Sequence, residues 1–268
     1  MLDRTVVCLD FDGTLSPIVD DPSRAVIHAD GPEVLARLAP HVLAIAVVTG
    51  RPCRQVLELA GLEELADRVG DTGRLEVRGQ YGNERWSSTD RQVVSPEAPP
   101  EVEELRERLP GLLEQAGLAA AYVEEKGLAV AVHTRRLPEP DDAARRVGEV
   151  LEPVVRELGL TLEPGRRVVE VRGTGTDKGD AVDQLVEELS PSGVVFVGDD
   201  LGDLAAFERV EQLRGDGLAG LLVCSGSEEQ TALVEHADLV VPGPDGVLEV
   251  LAALVEAEEP PKKTAGEA

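Results

Sequence analysis

No stretch of the 268-residue chain keeps the ~20 consecutive apolar residues that a membrane-spanning helix needs, so no spanning helix is expected. Cysteine is scarce. Cys8, Cys53 and Cys224 are odd in number, widely spaced and set in apolar or helical contexts, which gives neither a disulfide framework nor a thiolate metal site. Positive charge is also short: 26 Lys and Arg against 52 Asp and Glu leave a net charge of −26. Such a field repels phosphate backbones, so neither nucleic acid nor an anionic membrane is an expected partner. The start, Met1-Leu2-Asp3-Arg4, runs directly into a strand pattern without a signal-peptide layout, and the expectation is a cytoplasmic protein, with a monomer favoured. Hydrophobic residues at 42% and charged residues at 29% suit an ordinary globular chain.

What is present alternates. A β-branched apolar run over Thr5–Leu9 predicts a buried strand, and an amphipathic pattern over 33–39 predicts a helix. A second apolar strand covers 43–48, a helix covers 54–60 and stops at Gly61, and a weaker strand covers 75–78 before a polar turn region through Trp86. Such alternation predicts an α/β core, a doubly wound parallel sheet of Rossmann-like type. The character changes at 96–100. Helices over 101–116 and 141–158 then flank strand-like stretches at 121–124, 128–133, 161–162 and 168–171, which predicts a smaller inserted α+β domain. From Asp177 the first rhythm resumes, with a helix to Leu189, a strand at 194–197, a helix at 203–213 and strands at 221–224 and 239–241. The expected division is a core of 1–95 and 166–257, an insert of 96–165 and a disordered tail of 258–268.

Chemistry concentrates at strand ends. Asp10-Phe11-Asp12-Gly13-Thr14 follows the first strand directly, where a doubly wound sheet binds its ligands. Two carboxylates at i and i+2 can share one side of a turn, hold a hard cation such as Mg²⁺, and divide nucleophilic and acid/base work. Gly13 lets the backbone approach a phosphate closely. A plain acidic turn with glycine also fits these residues. Thr49-Gly50-Arg51 follows the second strand and offers a hydroxyl, backbone N–H groups and a fork-shaped cation; a helix cap fits it too. Asp177-Lys178-Gly179 opens a helix, where Lys178 can balance carboxylates, although Asp and Lys are common at helix starts. Gly198-Asp199-Asp200-Leu201-Gly202-Asp203 puts three carboxylates within five residues, which repel one another without a cation; capping accounts for one of them.

The order carboxylate pair, Thr, Lys, acidic cluster resembles the haloacid dehalogenase superfamily. That resemblance implies Asp10 as nucleophile and Asp12 as general acid/base. It implies Mg²⁺ held by Asp10, the carbonyl of Asp12 and Asp199, with Asp200 and Asp203 in support and Thr49 and Lys178 stabilising the phosphoryl group. It also implies that the insert is a cap selecting the substrate.

Within the superfamily, D-F-D-G-T-L-S-P-I over 10–18 looks like the trehalose-6-phosphate phosphatase family, as do Gly79-Gln80-Tyr81-Gly82-Asn83-Glu84, Val123-Glu124-Glu125-Lys126-Gly127-Leu128, His133-Thr134-Arg135 and Glu170-Val171-Arg172. The likeness touches the chain from residue 5 to about 245. It implies that a small-molecule sugar phosphate, trehalose 6-phosphate, is hydrolysed through an aspartyl-phosphate. Gly13, Gly50, Arg51, Tyr81, Glu84, Glu124, Lys126, His133 and Arg172 are the implied substrate-binding set. Glu124 and Lys126 sit at i and i+2, on one side of a strand, where a solvent-facing ion pair also fits. Tyr81 stands where the family pattern has His, and Gly202 and Leu204 stand where it has a hydroxyl and an acid. Sucrose, glucosylglycerol and mannosylglycerate phosphates are alternative substrates. A non-catalytic partner of a synthase is a further alternative, which the presence of Asp10, Asp12, Lys178 and Asp199 disfavours. Of only six aromatic residues, Phe11, Tyr81, Trp86 and Tyr122 fall in or beside these segments, where sugar stacking and core filling are both open.

Overall fold

A computed structural model describes residues 2–19, 21–165, 167–173, 175–226 and 231–258. It divides into two compact units, residues 1–95 with 176–268, and residues 96–175.

The first unit opens with β1 (Thr5–Leu9), α1 (Gly31–Leu38), β2 (Ala44–Val48), α2 (Cys53–Ala60), α3 (Leu62–Val69), β3 (Leu75–Gly79) and β4 (Glu84–Ser87). The second unit comprises α4 (Pro100–Gln115), β5 (Tyr122–Glu125), β6 (Ala129–His133), α5 (Pro140–Leu158), β7 (Leu160–Gly165) and β8 (Val168–Gly173). The chain then returns to the first unit with α6 (Lys178–Leu189), β9 (Gly193–Gly198), α7 (Leu204–Gly215), β10 (Ala219–Gly226), α8 (Thr231–His236), β11 (Leu239–Pro242) and α9 (Gly243–Glu258).

All five residues of β1 and of β2 are buried, as runs of Val, Ile, Ala and Leu require when both sheet faces are covered. The seven-stranded sheet has the order β11-β10-β9-β1-β2-β3-β4, parallel throughout except for β4, which lies antiparallel on β3 at the edge. Alternate residues feed two cores. Val7 and Leu9 pack with Leu35, Val56, Leu65 and Leu251, while Val6 and Cys8 pack with Val182, Phe207 and Leu213. Helices therefore cover both faces, and the sheet is doubly wound as the sequence predicts. The chain winds outward from β1 in one direction through β2 and β3, and in the other through β9, β10 and β11. The end of β1 is thus the point where strand order reverses, the place where open α/β sheets form ligand crevices.

The second unit is a four-stranded antiparallel sheet of order β5-β6-β8-β7. One of its faces, with Val130, Val132, Val169, Val171 and Leu160, packs on Val102, Leu105, Val147 and Leu151 of α4 and α5. The sequence pattern ends this insert at 165. In the structure β8 pairs on one side with β6 and on the other with β7, so residues to Gly175 fall in the second unit. No helix among the described residues is long and apolar enough to cross a membrane. The expected disordered tail lies outside the described residues, apart from Glu258, which ends α9.

Candidate active site

Each predicted element arrives at the C-terminal edge of the large sheet. Asp10 follows β1, and its N–H donates to the carbonyl of Val197 on β9 at 2.9 Å. Lys178 is the first residue of α6, whose start is fixed by a reciprocal capping box between Asp177 and Asp180. The cap aims the ammonium into the sheet edge. Lys178 Nζ donates to Oδ1 of Asp10 at 2.6 Å and to Oδ1 of Asp203 at 2.7 Å, all three side chains at most 5% exposed. The other oxygen of Asp203 accepts the N–H groups of Asp199 and Asp200 at 3.0 and 3.2 Å, holding the loop after β9 in a tight turn. Asp200 is exposed and caps the short turn Leu201–Asp203 through the N–H of Gly202 at 2.9 Å. Of the three acids in that loop, one therefore caps, one holds the lysine and one is left over.

The one left over is Asp199. It is buried, and no described residue donates a hydrogen bond to its carboxylate. Ligand oxygens of Asp10, Asp199 and Asp203 lie within 4.8 Å of one another. Burial pushes the Asp199 carboxyl up to about 8, with Asp200 and Asp203 adding to the rise. Asp10 is raised well above the carboxylate range, first by burial and against the pull of Lys178, and Asp203 rises for the same reason. Lys178 is itself held well above its ordinary value by Asp10 and Asp203, which outweigh its desolvation. Fully ionised, the three buried acids with one ammonium would carry two negative charges, the amount a divalent cation supplies. The donor set, all carboxylate oxygen, is the kind that hard cations take.

Gly13 shows why the loop after β1 needs glycine. Its φ is +76°, and a Cβ there would lie 2.0 Å from Oδ2 of Asp199. Its carbonyl accepts the buried hydroxyl of Ser225, at the end of β10, at 2.6 Å. Gly13→Ala is expected to push Asp199 aside and to lower turnover by about 10²-fold or more, the usual consequence of an ångström-scale misplacement. Phosphate release measures this, and wild-type turnover would show that the close approach is dispensable.

Thr49 is buried after β2, and its Oγ1 accepts the N–H of Arg51 at 3.1 Å. The neighbouring turn Gln80–Gly82 is strapped to this loop: Gln80 N–H donates to the carbonyl of Arg51 and Tyr81 N–H to that of Thr49, both at 2.9 Å. Gln80 and Tyr81 have φ of 46° and 60°, a left-handed conformation that costs non-glycine residues energy and recurs at functional loops. The strain brings the phenol of Tyr81 over Gly50, where a Cβ would meet Cζ and Oη at 2.8 Å. Arg51 does not stand open as a phosphate fork. It pairs with Asp12 through Nε at 2.6 Å and Nη2 at 2.7 Å. Glu84 is buried and accepts the N–H of Cys53 at 2.6 Å, with Gln80 and Ser95 as further donors, so it ties α2 to β4. Phe11 and Trp86 are core residues.

In the second unit, the sheet face turned away from α4 and α5 carries Tyr122, Glu124, His133, Glu163, Glu170 and Arg172, by register. His133 Nε2 meets Glu124 at 2.8 Å, Lys126 Nζ meets Glu170 at 2.5 Å, and Arg172 meets Glu163 at 2.9 Å. Tyr122 is exposed, its ring 5.6 Å from that of His133. Glu170, which meets Lys126, and Ser225, which meets Gly13, were not among the residues the sequence singled out for the site. Their signals were an acid between valines on the same strand side as Arg172, and a hydroxyl at a strand end, as at Thr49.

The model of the trehalose-phosphatase family matches residues 8–238. The chain belongs to that family. Trehalose 6-phosphate phosphatase RA3 of Zea mays is 32% identical over 249 residues, covering 88% of this chain and 66% of that protein. Trehalose-phosphate phosphatase B of Arabidopsis thaliana is 32% identical over 274 residues, covering 98% of this chain and 69% of that protein. The chain thus spans about two thirds of the length of these relatives. Among solved structures, the C-terminal domain of Candida albicans trehalose-6-phosphate phosphatase superposes with a TM-score of 0.76 at 22% identity, over 95% of this chain and 92% of that one. A haloacid dehalogenase-like hydrolase from Bacteroides thetaiotaomicron gives 0.65 at 18% identity, over 94% and 99% of the two chains. The fold is the one implied by the sequence motifs.

Proposed function

We propose that the chain hydrolyses trehalose 6-phosphate to trehalose and phosphate, with Mg²⁺, through an aspartyl-phosphate on Asp10. What supports this most is the Lys178 bridge between Asp10 and Asp203 beside a carboxylate, Asp199, that lacks a partner among the described residues. The bridge occupies Oδ1 of Asp10 and leaves Oδ2 for attack. An oxygen of Asp10 bonds to phosphorus as the bond to the sugar oxygen breaks, and Asp12 gives that oxygen a proton. Asp12 then takes a proton from water, whose oxygen attacks phosphorus and returns Asp10 as a carboxylate. Thr49 and the N–H groups after it hold phosphate oxygens, and Lys178 offsets charge at the nucleophile. Asp10, the carbonyl of Asp12 and Asp199 would hold Mg²⁺, which offsets the repulsion between carboxylate and phosphate. Glu124, Lys126, His133, Arg172 and Glu170 form a polar face with the bidentate acids and cations that a disaccharide's hydroxyls require.

Phosphate release from a panel of sugar phosphates and an aryl phosphate, with and without Mg²⁺, tests the reading. Trehalose 6-phosphate is expected to be the preferred sugar ester and Mg²⁺ to be required; no release from any member by folded protein would sink it. Glu124→Ala and Lys126→Ala are expected to impair the preferred sugar ester by at least about tenfold more than the aryl ester, some 1.4 kcal/mol of selective binding. Equal losses on both would remove the specificity role.

The cation has a second readout. Unfolded Asp199 loses its proton near 3.8, while in the fold it keeps one up to about 8. Between those values the folded state binds more protons, so the metal-free protein loses stability as pH rises. Thermal unfolding in chelator is expected at lower temperature near pH ~8 than near pH ~5, and Mg²⁺ is expected to remove most of the difference. A pH response unchanged by Mg²⁺ would disconnect the cluster from cation binding.

A further inference from the structure

Arg51 has the geometry of a phosphate fork but a different object. Its Nε and Nη2 donate to the two oxygens of Asp12 at 2.6 and 2.7 Å, a bidentate pair. Nη1 donates to the carbonyl of Pro22 at 3.0 Å, and the guanidinium carbon lies 5.6 Å from the ring centroid of the buried Phe11. Three of its five N–H groups are committed, and the side chain is 9% exposed against 43% for Asp12. The partner in the open is the carboxylate, and the partner anchored from several sides is the arginine. Such an arrangement fixes the carboxylate and not the reverse.

We propose that Arg51 is a positioning residue for Asp12, setting the carboxyl that serves the leaving oxygen and the attacking water, and not a ligand of the phosphoryl group. This rests on the phosphatase reading above. When Asp12 gives its proton to the sugar oxygen, the electron pair of the breaking P–O bond stays on that oxygen and Asp12 becomes a carboxylate. The fork binds that form best, so charge is met by fixed donors as it develops. In the second half the carboxylate, still forked, takes a proton from water as the water oxygen bonds to phosphorus. The consequence is specific. A sugar alkoxide is a poor leaving group and needs the proton, whereas an aryl oxide leaves without it. Loss of a phosphate ligand would damage both esters alike.

The experiment compares full-length wild type with Arg51→Lys, which keeps the charge and loses the fork, and Arg51→Gln, which loses both. Turnover of trehalose 6-phosphate and of p-nitrophenyl phosphate is measured with Mg²⁺, together with inhibition by inorganic phosphate. Each Arg51 variant is also combined with Asp12→Asn. The expected result is about a 10²-fold fall in kcat/KM on the sugar ester, the scale of general acid–base catalysis. The kcat/KM of the aryl ester, which reports only the steps through departure of the aryl oxide, and phosphate inhibition are expected to stay within about threefold, and either Arg51 change is expected to cost less than about threefold once Asp12 is Asn. Retained aryl kcat/KM reports that the variants fold. Comparable losses on both esters with phosphate inhibition weakened at least about tenfold would make Arg51 a phosphate ligand and overturn the proposal, as would full additivity with Asp12→Asn. Wild type that releases phosphate from neither ester would instead sink the underlying phosphatase reading. Wild type active on the aryl ester alone would refute only the sugar, and the preferred panel member would then take its place.

Discussion

Asp10→Asn is expected to lower turnover by at least about 10⁴-fold, about 5 kcal/mol of barrier, while leaving a folded protein. The amide removes the charged oxygen that would attack phosphorus, and the other acids of the site are taken, Asp199 by the proposed cation. Asp203 is committed to Lys178 and to two backbone N–H groups, and Asp12 is committed to Arg51. The fold is expected to survive because Asp10 is one of three buried acids around a single ammonium. Lys178 keeps Asp203 when Asp10 loses its charge. Cation binding weakens but persists, because Asp199 remains. Thermal unfolding with and without Mg²⁺ separates the two effects. Turnover within about tenfold of wild type, under ~1.4 kcal/mol, would show that Asp10 is not the nucleophile.

Much of this site was legible because each piece follows a run of buried strand residues. Thr5–Leu9 is the strand the sequence predicts, and the motif after it sits at the reversal of strand order. The acidic loop and Lys178 were equally visible, as a charge excess and a capped helix start. What was not visible has physical reasons. α3 begins at the glycine that ends α2: Gly61, at φ +58°, serves both helices, and a C-cap signal hides a start that lacks an ordinary cap. β4 is four residues, Glu-Arg-Trp-Ser, with one apolar member, too short and polar to show a period of two. α9 starts with Gly-Pro-Asp-Gly, a turn-like opening, although Val247, Leu248, Leu251 and Val255 then follow helical spacing into the core. Pairings across the chain are the hardest to see. Arg51 reads from its loop as a phosphate fork, and only the fold reveals that Asp12, 39 residues earlier, takes it. Ser225 reaches Gly13 across 212 residues.

The overall charge of −26 gives these pairings a consequence for binding an anion. Among the described residues of the site, Lys178 and Arg51 are each already opposed by carboxylates. On the proposed reaction, a phosphate ester entering such a site would find the local field near neutral at best, and the proposed cation would supply the attraction. This is a stronger reason for a divalent ion than the motif alone, because it follows from which charges are already matched.

Lys178→Met is expected to have the other large effect, and in stability as well as turnover. It leaves Asp10 and Asp203 buried without their only described ammonium, and breaking a buried ion pair from one side costs about 3–5 kcal/mol. The acids are expected to keep protons instead of remaining charged, as burial already favours, which spares the fold but disarms the nucleophile. Turnover is therefore expected to fall by at least about 10³-fold, some 4 kcal/mol, with the thermal transition lowered most at high pH, where the acids would otherwise ionise. Adding Asp203→Asn is expected to recover part of the stability and none of the turnover. The amide oxygen can still accept the N–H groups of Asp199 and Asp200, while one buried charge is gone. Thermal unfolding of the two variants across pH, beside their phosphate release, reads both quantities. A single variant as stable as wild type at high pH would mean that the cluster is neutral without its lysine. Recovered turnover in the double variant would mean that Lys178 serves only to hold Asp203, and that the charge on Asp10 needs no partner to react.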